Sequence, residues 1–96
     1  MARVARISMK EALAELEARG ATIIEAPPTL AAARMILQDL GPQKVGGRYL
    51  CGYWGETYEV LAIAVDGWRW SITVRWGDGR TATHSTSWDR RWDREI

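Results

Sequence analysis

One stretch, TYEVLAIAVDGWRWSITVRWGDGRTATHSTSW at 57–88, constrains the fold of this 96-residue chain more than any other. From Trp68 to Trp76 the residues alternate, with Trp68, Trp70, Ile72, Val74 and Trp76 on one side and Arg69, Ser71, Thr73 and Arg75 on the other. A period of two is that of a strand buried on one face. Asp66-Gly67 and Asp78-Gly79 bracket the run, and Gly is what lets a tight hairpin visit positive φ at little steric cost. Two turns around one strand predict a three-stranded antiparallel meander.

Turn chemistry then sets the register. A two-residue loop at Asp66-Gly67 pairs Val65 with Trp68, Ile63 with Trp70 and Leu61 with Ile72. This collects the bulky apolar side chains on one face and leaves Tyr58 and Trp76 on opposite faces. At the second turn a two-residue loop would set Thr81, Thr83 and Ser85 beside the apolar positions. A three-residue loop, Gly77-Asp78-Gly79 with Gly79 in the left-handed position of a bulge, instead brings Ala82, His84 and Trp88 to the buried side, and is the expected form.

At 47% apolar and 26% charged residues, the chain reads as one globular domain, residues 1–96, with a helical part at 1–45 and a β part at 46–96 that share one core. The net charge of +1 provides no field to steer the chain toward nucleic acid. Cys51 and His84 are the lone members of their types, so neither an internal disulfide nor a compact zinc-type ligand set is expected, and no cofactor is implied. No apolar run reaches the length of a membrane span, and MARVARISMK lacks a signal-peptide core, so a cytoplasmic protein with no membrane partner is the expectation. Of 13 basic residues 11 are Arg, beside many Ala and Gly, which suggests a GC-rich bacterial or phage gene.

Along the chain, residues 1–7 read as a short arm or an edge strand. Ser8-x-x-Glu11 is a capping box ahead of Met9, Leu13 and Leu16, and Gly20 is a stop, predicting a helix over 8–19. Residues 21–25, ATIIE, form a strand or an apolar tether ending at Pro27-Pro28. Thr29 caps a second helix over 29–40, with Leu30, Ala33, Ile36, Leu37 and Leu40 on one stripe and few charges elsewhere. Such a helix covers the sheet of its own domain or forms a homodimer seam through 29–40. The eight residues 21–28, with two prolines, between the Gly20 stop and the Thr29 cap exclude a helix-turn-helix. GPQKVGG at 41–47 is a hinge, 48–53 has strand character, Trp54-Gly55-Glu56 is a connection, and 89–96 is a closing strand or a helical turn. The glycines at 46, 47, 52 and 55 predict bends that curl the sheet toward a barrel.

Chemistry-bearing motifs are sparse. A nucleophilic Cys51 would need His84 beside it, and nothing in the spacing joins them. No carboxylates pair at hydrolase spacing, and GPQKVGG is not a phosphate-binding loop, so no catalytic residue is assigned. The aromatics speak more clearly: 6 Trp and 3 Tyr, no Phe, eight of the nine between 49 and 88. Trp70 and Trp76 share the face of Ile72 and Val74 and read as core. Tyr53 and Trp54 lie in a Gly-flanked loop and suit recognition, because Trp and Tyr join apolar area to a polar handle. The other meander face, Arg69, Thr73 and Arg75 with Arg48 and Arg80 nearby and Tyr58 beside them, is either a solvated surface or a backbone-contacting one for nucleic acid.

In order and spacing, Tyr58-Glu59-Val60-Leu61-Ala62-Ile63, Ile72-Thr73-Val74-Arg75-Trp76 and Ser87-Trp88-Asp89 resemble the Y-x-V-x-x-I/V, Y-L-V-K-W and T-W-E segments of chromodomains, in the Tudor-like, SH3-like class of small barrels. The resemblance covers residues 57–89. It implies an SH3-like small barrel and an aromatic cage for methylated lysine carried by Tyr58 and Trp76; the third aromatic position of the family is Gly79 here.

The expected fold is therefore α+β, two N-terminal helices packed on a strongly bent antiparallel sheet or SH3-like small barrel. The expected function is non-enzymatic recognition of a protein or peptide through Tyr53, Trp54, Tyr58 and Trp76 and a sheet edge. The alternatives are a small nucleic-acid-binding barrel using Arg48, Arg69, Arg75 and Arg80, and an oligomeric accessory protein of a phage or mobile element.

Overall fold

A computed structural model describes residues 7–96, so the arm or edge strand expected at 1–7 lies, apart from Ile7, outside the described residues. Helix α1 spans Met9–Ala18 with both halves of the capping box formed: Ser8 Oγ accepts from the Glu11 N–H and Glu11 Oε1 from the Ser8 N–H. It ends where Gly20 takes φ +86°. Helix α2 spans Leu30–Leu40, and Thr29 Oγ1 accepts from the Ala32 N–H to satisfy one of the orphan donors of its first turn. Arg19 ties the two helix exits together, donating to the carbonyls of Gly41 at 2.7 Å and Gln43 at 3.0 Å while pairing with Glu15.

The strands are β1 Ala21–Glu25, β2 Arg48–Cys51, β3 Glu56–Asp66, β4 Arg69–Trp76, β5 Thr81–His84 and β6 Arg94–Glu95. Strand β3 is the spine of the sheet. One of its edges carries β4. The other is shared end to end by β2, antiparallel on 56–59, and β1, parallel on 63–66. Between them, backbone bonds join Val60 to Gly46 and Gly47. The segment 21–25 is thus a strand, and its parallel pairing departs from an all-antiparallel sheet. The α2 crossover between β1 and β3 is what such a pair requires.

The sheet runs β5-β4-β3-β2-β6 with β1 also on β3. Among the described residues this path is open, so the barrel expected from the resemblance does not close there. The helices cover one face. Leu16 of α1 and Ile36 and Leu40 of α2 pack into the same cluster as Val60, Ile63, Ile72 and Val74 of the sheet, so both halves of the chain contribute to one core. Each such fully buried side chain is worth about 1.5–3 kcal/mol over exposure. Within α2 the buried residues are Ala32, Ala33, Ile36 and Leu40, and Ala31, Arg34, Met35 and Gln38 are exposed. The helix therefore packs on its own domain.

The meander forms with a corrected first turn. Asp66 pairs with Arg69, Val65 with Trp70 and Ile63 with Ile72, so the loop is Gly67-Trp68. Gly67, at φ +67°, takes the left-handed first loop position, and Trp68, expected on the apolar face of the strand, stands 70% exposed at the tip. A second correction follows at Leu61. The pairing passes from Val60–Val74 to Ala62–Thr73, leaving Leu61 as an extra residue in a bulge. The bulge shifts the inward positions from Tyr58 and Val60 to Ile63 and Val65, so all four are buried. Tyr58 and Trp76 become direct partners on one face rather than lying on opposite faces.

The second turn has the expected three-residue form. The Trp76 N–H donates to the Arg80 carbonyl, the Gly79 N–H to the Trp76 carbonyl, and Gly79 has φ +92°. His84 and Trp88 are partly buried on the helix side, whereas Ala82, opposite Val74, is exposed. The tail resolves into a turn at 90–92 followed by β6, which pairs with β2.

Candidate recognition site at the Trp54–Trp76 end of the sheet

The β2–β3 hairpin closes at the Cys51–Glu56 pair, leaving the loop Gly52-Tyr53-Trp54-Gly55. Gly55 turns the chain at φ +71° and donates to the Cys51 carbonyl at 2.7 Å. Gly52 lies against the Trp92 carbonyl with no room for a Cβ, and its N–H donates to Asp93 Oδ1 at 3.1 Å. The other oxygen of Asp93 accepts from the Asp89 N–H at 2.9 Å. The C-terminal segment thus clamps the root of the loop. Its tip presents Tyr53, 81% exposed, edge-on to Trp54, 68% exposed, with ring centroids 5.0 Å apart.

Trp54 faces the second meander turn across a cleft of about 210 Å³ lined by Trp54, Glu56, Trp76 and Arg80. Arg80 reaches Glu56 at 3.1 Å and also pairs with Asp78. The Arg80 backbone N–H and then its guanidinium hold the Asp78 carboxyl below the usual range, and Asp78 raises Arg80 in return. Both groups are exposed, so these ion pairs order the turn more than they stabilise the fold.

Behind Trp76 an aromatic file runs into the core. Trp76 lies 5.2 Å from Tyr58, Tyr58 5.7 Å from Tyr49, and Tyr49 5.6 Å from Trp88. Tyr58 is 8% exposed, and its hydroxyl donates to Gln43 Oε1 at 2.6 Å. Burial, reinforced by the nearby Asp93 carboxylate, pushes its pKa well up. Burial likewise raises Tyr49, whose hydroxyl bonds Lys44 and Pro42 backbone groups. Of the four aromatics singled out in the sequence, Tyr53, Trp54 and Trp76 gather at one end of the sheet and Tyr58 supports Trp76 from beneath. The aromatic facing Trp76 across the cleft is Trp54. No local pattern signals this, because loop 52–55 and turn 77–79 meet only through the β2–β3–β4 register.

The four arginines do not converge. Arg75 pairs with Glu59 at 2.8 Å, Arg80 with Glu56 and Asp78, Arg48 lies across from Glu59 on β2, and Arg69 sits at the far end of β4 opposite Asp66. Tyr58 is on the opposite face from Arg69 and Arg75. Cys51 and His84 do line one small cavity, of about 50 Å³, with Gln43, Tyr58 and Asp93. His84 Nδ1 accepts from the Thr86 N–H at 3.2 Å, and burial lowers the imidazole pKa. Among the described residues no three His, Cys, Asp or Glu side chains converge on a common point.

A second surface feature escaped the sequence reading. On the uncovered sheet face a groove of about 500 Å³ runs past Ile24, Ala64, Trp68, Ser71 and Ser85, with Ile24 65% exposed. The cause is the corrected turn, which moves Trp68 to the tip. Among the described residues no helix is long and apolar enough to cross a membrane. Comparison with protein-family models, with curated proteins and with solved structures finds no match.

Proposed function

We propose that this domain is a non-enzymatic recognition module for a protein or peptide, and that its ligand engages the Tyr53–Trp54 loop, the Trp54–Trp76 cleft and an adjoining sheet edge. The observation that carries this reading is the pair of exposed, mutually packed rings on a loop fixed at both ends. Large apolar rings held outward in one geometry lose little conformational entropy on binding, which is what energetic anchor residues need. The SH3-like character of the meander and its likeness to chromodomains belong to this proposal. So does a contribution of Tyr58, which acts by seating Trp76. A nucleic-acid reading is weaker, because Arg75 and Arg80 are already engaged by carboxylates.

The reading is tested by substituting both Tyr53 and Trp54 with Ala, side chains whose exposure leaves the fold undisturbed. Affinity purification from the native host, run with and without nuclease, should return a partner with the parent chain and lose it with the double variant. Equal recovery by both chains would refute the proposal. Nuclease-sensitive recovery with a steep salt dependence would favour nucleic acid instead.

A further inference from the structure

Strand β5 ends the sheet on one side, with no neighbour beyond it among the described residues. Its hydrogen-bond phase follows from the turn. Trp76 N–H bonds the Arg80 carbonyl, so the bonded pairs continue at Val74–Ala82 and Ile72–His84. The N–H and C=O groups of Thr81 and Thr83 therefore point away from β4. Exposed edges are ordinarily blunted by charge, proline or a bulge. From Thr81 through Trp88, TATHSTSW, there is no charge and no proline.

The two ends of this edge meet the two surface features described above. Arg80, at its start, lines the Trp54–Trp76 cleft on the helix side of the sheet. Ser85, at its finish, lines the Ile24–Trp68 groove on the uncovered side. The two positions are five residues apart, about 17 Å along a strand. Because successive side chains of an added strand alternate faces, an odd spacing is the one that reaches both features.

We propose that β5 receives an added strand, an uncharged, extended peptide segment of six or more residues. One bulky apolar side chain enters the Trp54–Trp76 cleft and a second, five positions away, enters the Ile24–Trp68 groove. The backbone groups of Thr81 and Thr83 provide the hydrogen bonds, and the two anchors set the register. No Asp, Glu, Lys or Arg lies on the edge from Thr81 through Trp88, and the charges lining the two features already face one another, Arg80 with Glu56 and Asp78 and Arg69 opposite Asp66, which favours an uncharged partner. The inference rests on the recognition reading above and specifies its ligand.

The test is selection of random 12-residue peptides displayed on phage against the parent protein and against Trp54→Ala, Thr83→Pro and Thr83→Lys. Because the Thr83 N–H faces outward, proline there takes no bond from the β4 ladder; Thr83→Lys keeps the backbone intact. Enriched peptides should carry two bulky apolar residues five positions apart. Their synthetic forms should bind Thr83→Pro at least about tenfold more weakly, and N-methylation of alternate peptide amides should have the same effect. Peptides that bind Thr83→Pro and Thr83→Lys as well as the parent, yet lose affinity to Trp54→Ala, would overturn strand addition and leave the aromatic site standing. Enrichment no better on the parent than on Trp54→Ala would overturn both. A sedimenting dimer that Thr83→Pro dissociates would assign the edge to a second copy of this chain and overturn the peptide.

Discussion

The Tyr58 hydroxyl donates to Gln43 Oε1 at 2.6 Å between two buried side chains, and Gln43 Nε2 donates in turn to the Leu40 carbonyl at 3.1 Å. This bond joins the central strand to the exit of α2. Tyr58→Phe keeps the ring and strands Gln43 Oε1, so it should cost about 1–3 kcal/mol in urea unfolding. Tyr58→Phe with Gln43→Leu, which removes both polar partners, should recover part of that loss.

Alkaline pH tests the same bond. Burial raises the Tyr58 pKa, so the unfolded chain ionises first, near the ordinary phenol value of about 10. The contribution is fully present below that pH and is lost as pH rises toward the folded pKa. Stability of the parent should fall more steeply above about pH 10 than that of Tyr58→Phe, measured as urea midpoints across the range.

His84 sets the opposite limb. Its pKa is lowered by burial, and its Nδ1 accepts a backbone N–H, a bond the protonated ring cannot make. Its contribution is present above the unfolded value of about 6.5 and is lost as pH falls through the folded pKa. Thermal midpoints should decline on acidification below about pH 6.5, and His84→Asn should flatten that decline; an unchanged slope would mean other groups carry it.

The corrected hairpin register makes two neighbouring tryptophans unequal. Trp68 stands at the turn tip, whereas Trp70 is 9% exposed and its Nε1 donates to Asp39 at 3.3 Å. Trp68→Ser should change stability by no more than about 0.5 kcal/mol, and Trp70→Ala should cost about 3–5 kcal/mol. Comparable large losses for both variants in equilibrium unfolding would restore the Asp66-Gly67 loop, which places both rings on the buried face.

Gly52 is the hinge of the aromatic loop. A methyl group there meets the Trp92 carbonyl, backbone against backbone, so Gly52→Ala must move the C-terminal segment or the loop. A cost of about 1–3 kcal/mol is expected, with faster tryptic cleavage at Arg90, Arg91 and Arg94 and weaker binding at Trp54.

What was legible in the sequence is what neighbouring residues decide among themselves. The Ser8–Glu11 capping box, the Thr29 cap, the alternation along β4 and the Gly77-Asp78-Gly79 turn each depend on side chains within a few positions. Each therefore appears in the fold much as the residues foretold. The exposed Tyr53–Trp54 loop belongs to the same class, because two flanking glycines and no alternation leave the rings without a face to bury.

Tertiary structure decided the rest. Leu61 is as apolar as its neighbours, and only long-range pairing reveals that it is the extra residue. Val60 bonds to Gly46 and Gly47, and Tyr58 is drawn under Gln43, so the first half of β3 turns its even positions inward while Ile63 and Val65 stay in. That one-residue slip reverses a whole face, because the side-chain period of a strand is two. It also places Tyr58 beneath Trp76. The facing of Trp54 and Trp76 across one cleft, and the outer position of β5 in the sheet among the described residues, follow from pairings between residues far apart in the chain, which no local pattern records.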